Sequence, residues 1–222
     1  MLVLYHFWLS PQSRKLRVQL REKSIEVELR EERYWERRRE FLALNPVGEV
    51  PVLLDGDNLV LSDSQAIAEY LEETQPRPGL LGGSPRQRAE TRRLVAWFDR
   101  KFEREVSHYL LREKVVKRLN GEGGPDSEVL RAAAYNLDYH LQYVGYLAER
   151  RNYLAGDEFS LADIAAAAHL SCIDYLSDVA WERHGEAKAW YAKVKSRPSF
   201  RAILADHIVG MSPPKHYANL DF

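Results

Sequence analysis

The sequence predicts an α+β chain in which a small βαβαββα unit, residues 1–76, precedes an all-helical domain at 84–209. Three observations predict it. Short apolar runs alternate with helix-like segments through residues 2–73. A stretch rich in Pro and Gly, Gln75-Pro76-Arg77-Pro78-Gly79-Leu80-Leu81-Gly82-Gly83, then interrupts the periodicity and reads as a linker at 77–83. Beyond it apolar residues recur at helical spacing, as in Leu94, Trp97, Phe98, Phe102, Val106 and Leu110.

Leu2-Val3-Leu4-Tyr5-His6 reads as the first strand, and Ser10-Pro11 directly after it starts a helix. Ser is a favoured N-cap, and Pro suits the first helical position, where its missing N–H removes no hydrogen bond. Two readings of Ser10 stay open. It is a plain cap, or its hydroxyl stands beside an anion drawn to the free N–H groups and positive dipole end of the helix. Ser24–Leu29 alternates as a second strand, Trp35–Leu44 is a short charged helix or loop, and Val50–Leu54 is a third strand. Pro51 at a strand entry makes Val50-Pro51 a candidate cis peptide whose turned backbone could pair with an extended ligand. Asp55-Gly56-Asp57-Asn58 is turn chemistry before the return strand Leu59-Val60-Leu61, and Ser62 with Gln65 stands at capping-box spacing before a helix to about Glu73.

In the second domain Ser84-Pro85 opens a long helix, Gly121–Pro125 breaks it, and Ser127 to about Arg151 resumes as an antiparallel partner. Ser160-Leu161-Ala162-Asp163 is a capping box for a helix to about Tyr175 that is apolar nearly all round, so it belongs at the centre of a bundle. Arg201 to about Ile208 is the last helical stretch. The tail at 210–222 carries Tyr217, Leu220 and Phe222, apolar surface that either packs on its own domain or binds a partner.

Composition excludes several classes. With 32 basic and 33 acidic residues interspersed, net charge −1, there is no basic field for nucleic acid. No run is long and apolar enough for a membrane span, and the first residues enter a patterned strand without the regions of a signal peptide, so a cytoplasmic address is expected. The single cysteine, Cys172, sits in the apolar helix and reads as a buried small hydrophobe. The histidines are dispersed, so no metal site is expected, and no Gly-rich phosphate loop follows a strand. Ser10 with His6 lacks an acid to orient the imidazole, which disfavours a hydrolase. The sign-alternating run Glu31–Glu40 reads as a solvated face, with an Arg in reach of a ligand carboxylate as the alternative.

Ser10-Pro11-x-x-Arg14, Asn45-Pro46-x-Gly48-x-Val50-Pro51-x-Leu53 and Leu61-x-Asp63-Ser64-x-Ala66-Ile67-x-x-Tyr70-Leu71 resemble the thioredoxin-like domain of cytosolic glutathione S-transferases. The Ser160 capping-box helix and Arg197-Pro198-Ser199-Phe200 extend the resemblance over practically the whole chain. It implies the glutathione transferase fold, with no cofactor and with glutathione as substrate or ligand. Ser10 would face the glutathione sulfur as the catalytic group, Val50 before Pro51 would pair with the cysteinyl backbone, and Asp63 with Ser64 would bind the γ-glutamyl group. The family's usual acid is Glu, and Asp63 is one methylene shorter.

A narrower resemblance lies in Tyr34-Trp35-Glu36-Arg37-Arg38, Tyr146–Arg151, His169-Leu170-Ser171-Cys172 and the tail His216-Tyr217-Ala218-Asn219-Leu220-Asp221-Phe222. These are similar to the FtsZ-localised protein A group of alphaproteobacteria, cytoplasmic dimers of the same fold that bind the tubulin-like polymer FtsZ. The resemblance implies a noncatalytic homodimer at the division site, with Trp35, Asp221 and Phe222 as partner contacts. Two readings therefore stand: a filament-binding adaptor, and a transferase joining glutathione to small electrophiles.

Overall fold

The computed structural model describes residues 1–56 and 59–220. Its amino-terminal sheet has the strand order β2-β1-β3-β4. β1 (Leu2–His6) pairs in parallel with β2 (Glu28–Glu31) after crossing through α1 (Pro11–Glu22), with Val3 opposite Glu28. β3 (Val52–Asp55) runs antiparallel to β1, and β4 (Leu59–Ser62) antiparallel to β3, with Leu53 between Leu4 and Leu61. The second strand begins four residues later than its alternation suggests. Ser24 lies in the left-handed region, φ 55, and Ser24 N and Ile25 N close the end of α1 on Arg21 O and Leu20 O, so residues 24–27 form the turn out of the helix. The hairpin residues Asp57 and Asn58 lie outside the described residues.

Between β2 and β3 the chain makes a single 3₁₀ turn at Tyr34–Glu36 and the short helix α2 (Arg39–Leu44). Both Val50–Pro51 and Arg77–Pro78 are cis. α3 spans Ser64–Thr74, and here the sequence reading is corrected: the cap is Asp63, not Ser62. Asp63 has φ 72, and its Oδ1 accepts from Gln65 N at 2.8 Å and Ala66 N at 3.0 Å.

The helical domain opens with α4 (Pro85–Ala96), whose Ser84/Gln87 capping box is formed. The helix continues without a break through a π-wound stretch, Trp97–Ser107, then α5 (His108–Leu111), a second wide stretch at Arg112–Val116 and α6 (Lys117–Asn120). It ends at Gly121, φ 67, where glycine accepts the left-handed conformation without steric penalty. α7 (Ser127–Arg150) runs as its partner, capped by Asp126. Every residue of α8 (Leu161–Tyr175) is buried, as its all-round apolarity requires. α9 (Gly185–Lys195) has no counterpart among the elements read from sequence, because only Ala187, Trp190, Tyr191, Val194 and Lys195 are buried and the pattern is short. α10 covers Pro198–Leu204 rather than running to Ile208. The chain leaves the helix there to bring Asp206 to Arg17, Nη1–Oδ2 2.7 Å and Nη2–Oδ1 2.8 Å.

α1 is the seam between the domains, packed on α3 on one side and on α8 and α10 on the other. Arg14, Lys15 and Arg17 are consequently buried. Arg14 donates to Trp8 O at 2.7 Å, Ser171 Oγ at 2.9 Å and Tyr217 OH at 2.8 Å, and pairs with Asp206 at 3.4 Å. For the tail up to Leu220, packing is the alternative realised: Tyr217 is fully buried, edge-on to Tyr175, and Leu220 lies against the core. Cys172 is fully buried as expected.

His6 is fully buried, and neither ring nitrogen has a hydrogen bond among the described residues. Burial and then the nearby Arg17 lower its pKa to about 3. An unfolded histidine titrates near ~6.5, so below that pH the unfolded chain takes up a proton that the folded one refuses. The neutral form thus contributes stability that is present above about pH 6.5 and is lost as pH falls toward 3, at up to about 1.4 kcal/mol per pH unit. Chemical denaturation at pH 7 and pH 4.5 should show His6→Leu narrowing the drop in stability by roughly 1–3 kcal/mol. An unchanged drop would remove His6 from the acid response.

Candidate functional site

A cleft of about 1360 Å³ separates the two domains. Its thioredoxin-like wall is built from the α1 start, the Tyr34–Glu36 turn, the Val50–Pro51 bond and the α3 start. The opposite wall is the π-wound stretch with α5 and Arg112–Val116. Such wide turns are rare in helices and concentrate at functional sites.

Ser10, Val50, Pro51, Asp63, Ser64 and Trp35 all line this one cleft. Asp221 and Phe222 lie outside the described residues. Ser10 is nearly buried and caps α1, its Oγ accepting from Ser13 N at 3.2 Å. Its own O–H proton remains to donate toward the cleft. Ser64 Oγ accepts from Lys15 Nζ at 3.0 Å, and the same ammonium pairs with Asp99 across the domain boundary. Asp63 commits one carboxylate oxygen to the α3 cap.

Trp35 is half-buried rather than an exposed anchor. It packs edge-to-face on Phe7 with ring centres 4.8 Å apart, and on Tyr34 at 5.0 Å. Trp8 leaves the cleft open, since its ring lies on His6 and beneath the Arg17 guanidinium, and its Nε1 donates to Glu31 at 2.8 Å. The arginines of the run Glu31–Glu40 do not line the cleft: Arg38 pairs with Glu32, and Arg33 pairs with Glu36 at 3.5 Å.

Sequence reasoning missed the floor of the cleft. Asp99 takes Lys15 on one oxygen and His169 Nε2 on the other at 3.3 Å, while His169 Nδ1 meets Ser107 Oγ at 2.8 Å. Burial pushes the Asp99 carboxyl up, but Lys15 and then His169 outweigh it and hold it below its ordinary range. Ser107, His169 and Asp99 thus form a hydroxyl–imidazole–carboxylate chain. Ser107 is fully buried and does not line the cleft, so the chain serves as a structural link between α8 and the cleft helix. Glu103 does line the cleft. Burial raises its carboxyl above the usual range, with His169 and a hydrogen bond from Gln12 acting in the opposite direction. In the sequence these acids look like the solvated face of an amphipathic helix, and no local spacing marks them.

The arrangement can do two things chemically. The α1 start and Ser10 can stabilise negative charge, as a thiolate requires. Glu103, linked to Gln12 in the first turn of that same helix, opposes a negative charge there whenever it is ionised.

Residues 4–79 match the family model for the glutathione S-transferase N-terminal domain, and residues 118–198 match that for the C-terminal domain. The protein named FtsZ-localized protein A from Caulobacter vibrioides is 50% identical over 222 residues, covering 99% of this chain and 97% of its own. Among solved structures, one described as a glutathione S-transferase from Rhodospirillum rubrum F11 is 56% identical with a TM-score of 0.97, covering 100% of both chains. FzlA from C. crescentus is 50% identical with a TM-score of 0.96, covering 100% of this chain and 99% of its own. With both domain models matched and the βαβαββα unit joined to the helical domain as in these relatives, the chain belongs to the glutathione S-transferase family.

Proposed function

We propose that this chain is a noncatalytic, FtsZ-binding division factor that works in the cytoplasm as a dimer. The observation that carries the reading is its 50% identity, over nearly the full length of both chains, with a protein named for its localisation with FtsZ. Two-fold symmetry presents each binding patch twice, so weak contacts strengthen when their spacing matches that of neighbouring filament subunits. Trp35, half-buried in the cleft lining, and the terminal Asp221 are the proposed contacts. A large aromatic ring suits the centre of an interface, and a terminal charge steers a partner.

A conjugating transferase is the second reading, favoured by Ser10, Val50, Asp63 and Ser64 lining one cleft. Ser10 would then stabilise the glutathione thiolate. Glu103 at the same helix start weighs against it.

Co-pelleting with GTP-assembled FtsZ from the same source, against unassembled FtsZ, decides between them. The adaptor reading expects selective pelleting that Ser10→Ala leaves unchanged and that Trp35→Ala weakens by about tenfold or more. It also expects Asp221→Lys to reduce binding. A folded dimer that does not pellet with filaments, yet turns over glutathione with an aryl halide in a Ser10-dependent way, would reverse the assignment.

A further inference from the structure

Along the helical wall of the cleft, basic residues recur at four-residue steps: Arg92, Arg100, Arg104, His108 and Arg112, with Ala96 at the one uncharged step. A four-residue step overshoots an α turn of ~3.6 residues and falls short of a wider π turn. This helix passes from α4 into the π-wound stretch, then α5 and the second wide stretch, so the two drifts offset one another and the column stays on the cleft side.

The ends of the column are occupied and its middle is not. Arg92 is held by both Glu69 oxygens at 2.8 Å, and Arg112 by Glu122 at 2.6 Å. Arg100 is exposed and has no ion pair among the described residues. Arg104, its side chain 76% exposed, leans to Glu105 at 3.6 Å, but that carboxylate already takes Lys101 at 2.6 Å and His140 at 3.1 Å. His108 is exposed beside the Tyr109 ring. Of the acids on the same wall, Asp99 is taken by Lys15 and His169, and Glu103 by Gln12 and His169. The other exposed acids of the cleft, Glu49 and Asp63, belong to the facing wall, together with Trp35 and the 65%-exposed Val47. Free charge is thus divided by wall, positive on the helical side.

From this arrangement we propose that Arg100, Arg104 and His108 dock an extended acidic segment of a protein partner, with carboxylates at alternate positions. The identity of that partner as FtsZ rests on the reading above. Four residues of helix rise about 5–6 Å, and alternate side chains of an extended chain stand about 6.6 Å apart on one face, so three successive acids meet three successive column positions. The same alternation turns the segment's remaining side chains to the facing wall, where apolar ones suit Trp35 and Val47 and bring no like charge to Glu49 and Asp63. A polyanion charged all round, such as a nucleic acid strand, lacks that second face. The cleft, about 1360 Å³, exceeds the roughly 300–1,000 Å³ common for small-molecule sites, as a polypeptide segment requires.

The test titrates the full chain, by calorimetry, with the blocked peptide Ac-Glu-Leu-Glu-Leu-Glu-amide, its neutral counterpart Ac-Gln-Leu-Gln-Leu-Gln-amide and the reordered Ac-Glu-Glu-Glu-Leu-Leu-amide. The alternating acidic peptide is expected to bind about tenfold more tightly than either control, the sum of a few exposed ion pairs, and to lose that margin as salt is raised. Joint charge reversal, Arg100→Glu with Arg104→Glu, changes two exposed side chains and should remove the margin, whereas Arg100→Lys with Arg104→Lys should keep most of it. The reversal should also weaken pelleting with assembled FtsZ by about tenfold. Equal binding of the acidic and neutral peptides, a margin unmoved by the reversal, or tighter binding of an octathymidylate than of the acidic peptide would overturn the proposal. Filament pelleting that the reversal leaves intact would overturn it too, with the filament reading left standing. Arginine-dependent peptide binding without any pelleting would support the docking site and remove FtsZ as its partner.

Discussion

Asp163→Ala should lower the melting temperature by roughly 8–16 °C, because it strands four buried donors at once. Asp163 is fully buried at the start of α8. Oδ1 accepts from Leu154 N and Trp190 Nε1, both at 2.9 Å, and Oδ2 accepts from Ser160 N and Ser160 Oγ, both at 3.0 Å. One carboxylate thus joins the α8 cap to the segment before it and to α9. Burial raises its pKa and the donors work against that rise. Each unsatisfied buried group costs about 1–3 kcal/mol, and because the donors share one acceptor and can relax together, the sum is on the order of 4 kcal/mol. At about 2–4 °C per kcal/mol for a chain of this size, the expected range follows. Asp163→Asn, which keeps the shape but turns an N–H₂ toward donors, should fall between wild type and alanine. A calorimetric scan in which alanine melts within ~2 °C of wild type would show that water replaces the carboxylate.

Asp206→Ala is the second large effect. Its carboxylate, almost fully buried, holds Arg17 by two parallel bonds and reaches Arg14 at 3.4 Å. Removing one partner of a buried ion pair leaves uncompensated charge and costs about 3–5 kcal/mol. Here two buried guanidinium groups lose the same counter-ion. The loss should also be spatially ordered. Without Asp206 the tail is left with the anchors Tyr217–Arg14, Tyr175–Met211 and Ile208–Tyr175, which hold it less firmly, so residues 205–218 should exchange amide hydrogens faster before the whole chain unfolds. Arg14 also donates to Trp8 O, so the loop into Ser10 should loosen with them. Hydrogen exchange followed by mass spectrometry resolves both segments. If 205–218 kept wild-type protection in Asp206→Ala, the remaining hydrogen bonds and apolar contacts would suffice to hold the tail.

The legible parts of this chain are those settled by neighbours in sequence. The N-cap at Ser84 and the box at Ser160/Asp163 formed as read, because a cap joins residues within a few positions of one another and needs nothing from elsewhere in the fold. The all-round apolarity of α8 placed it in the core, and the switch from strand to helix periodicity after residue 76 marked the α+β architecture. Where sequence and structure part, the backbone conformation at a junction or a contact from a distant segment decides. Ser62 and Asp63 are both acceptable caps, and the positive φ at the β4–α3 junction selected Asp63. Nothing local marks Arg14, Lys15 and Arg17 as buried, yet α1 is covered on both sides and its charges meet Asp206, Asp99 and Tyr217 from the second domain and tail. Glu103 likewise belongs to a cleft that exists only when two domains face one another. Caps, turns and periodicity are interactions over a few residues and are written locally; a buried charge is stabilised by a partner tens to hundreds of positions away, and only the tertiary fold specifies that partner.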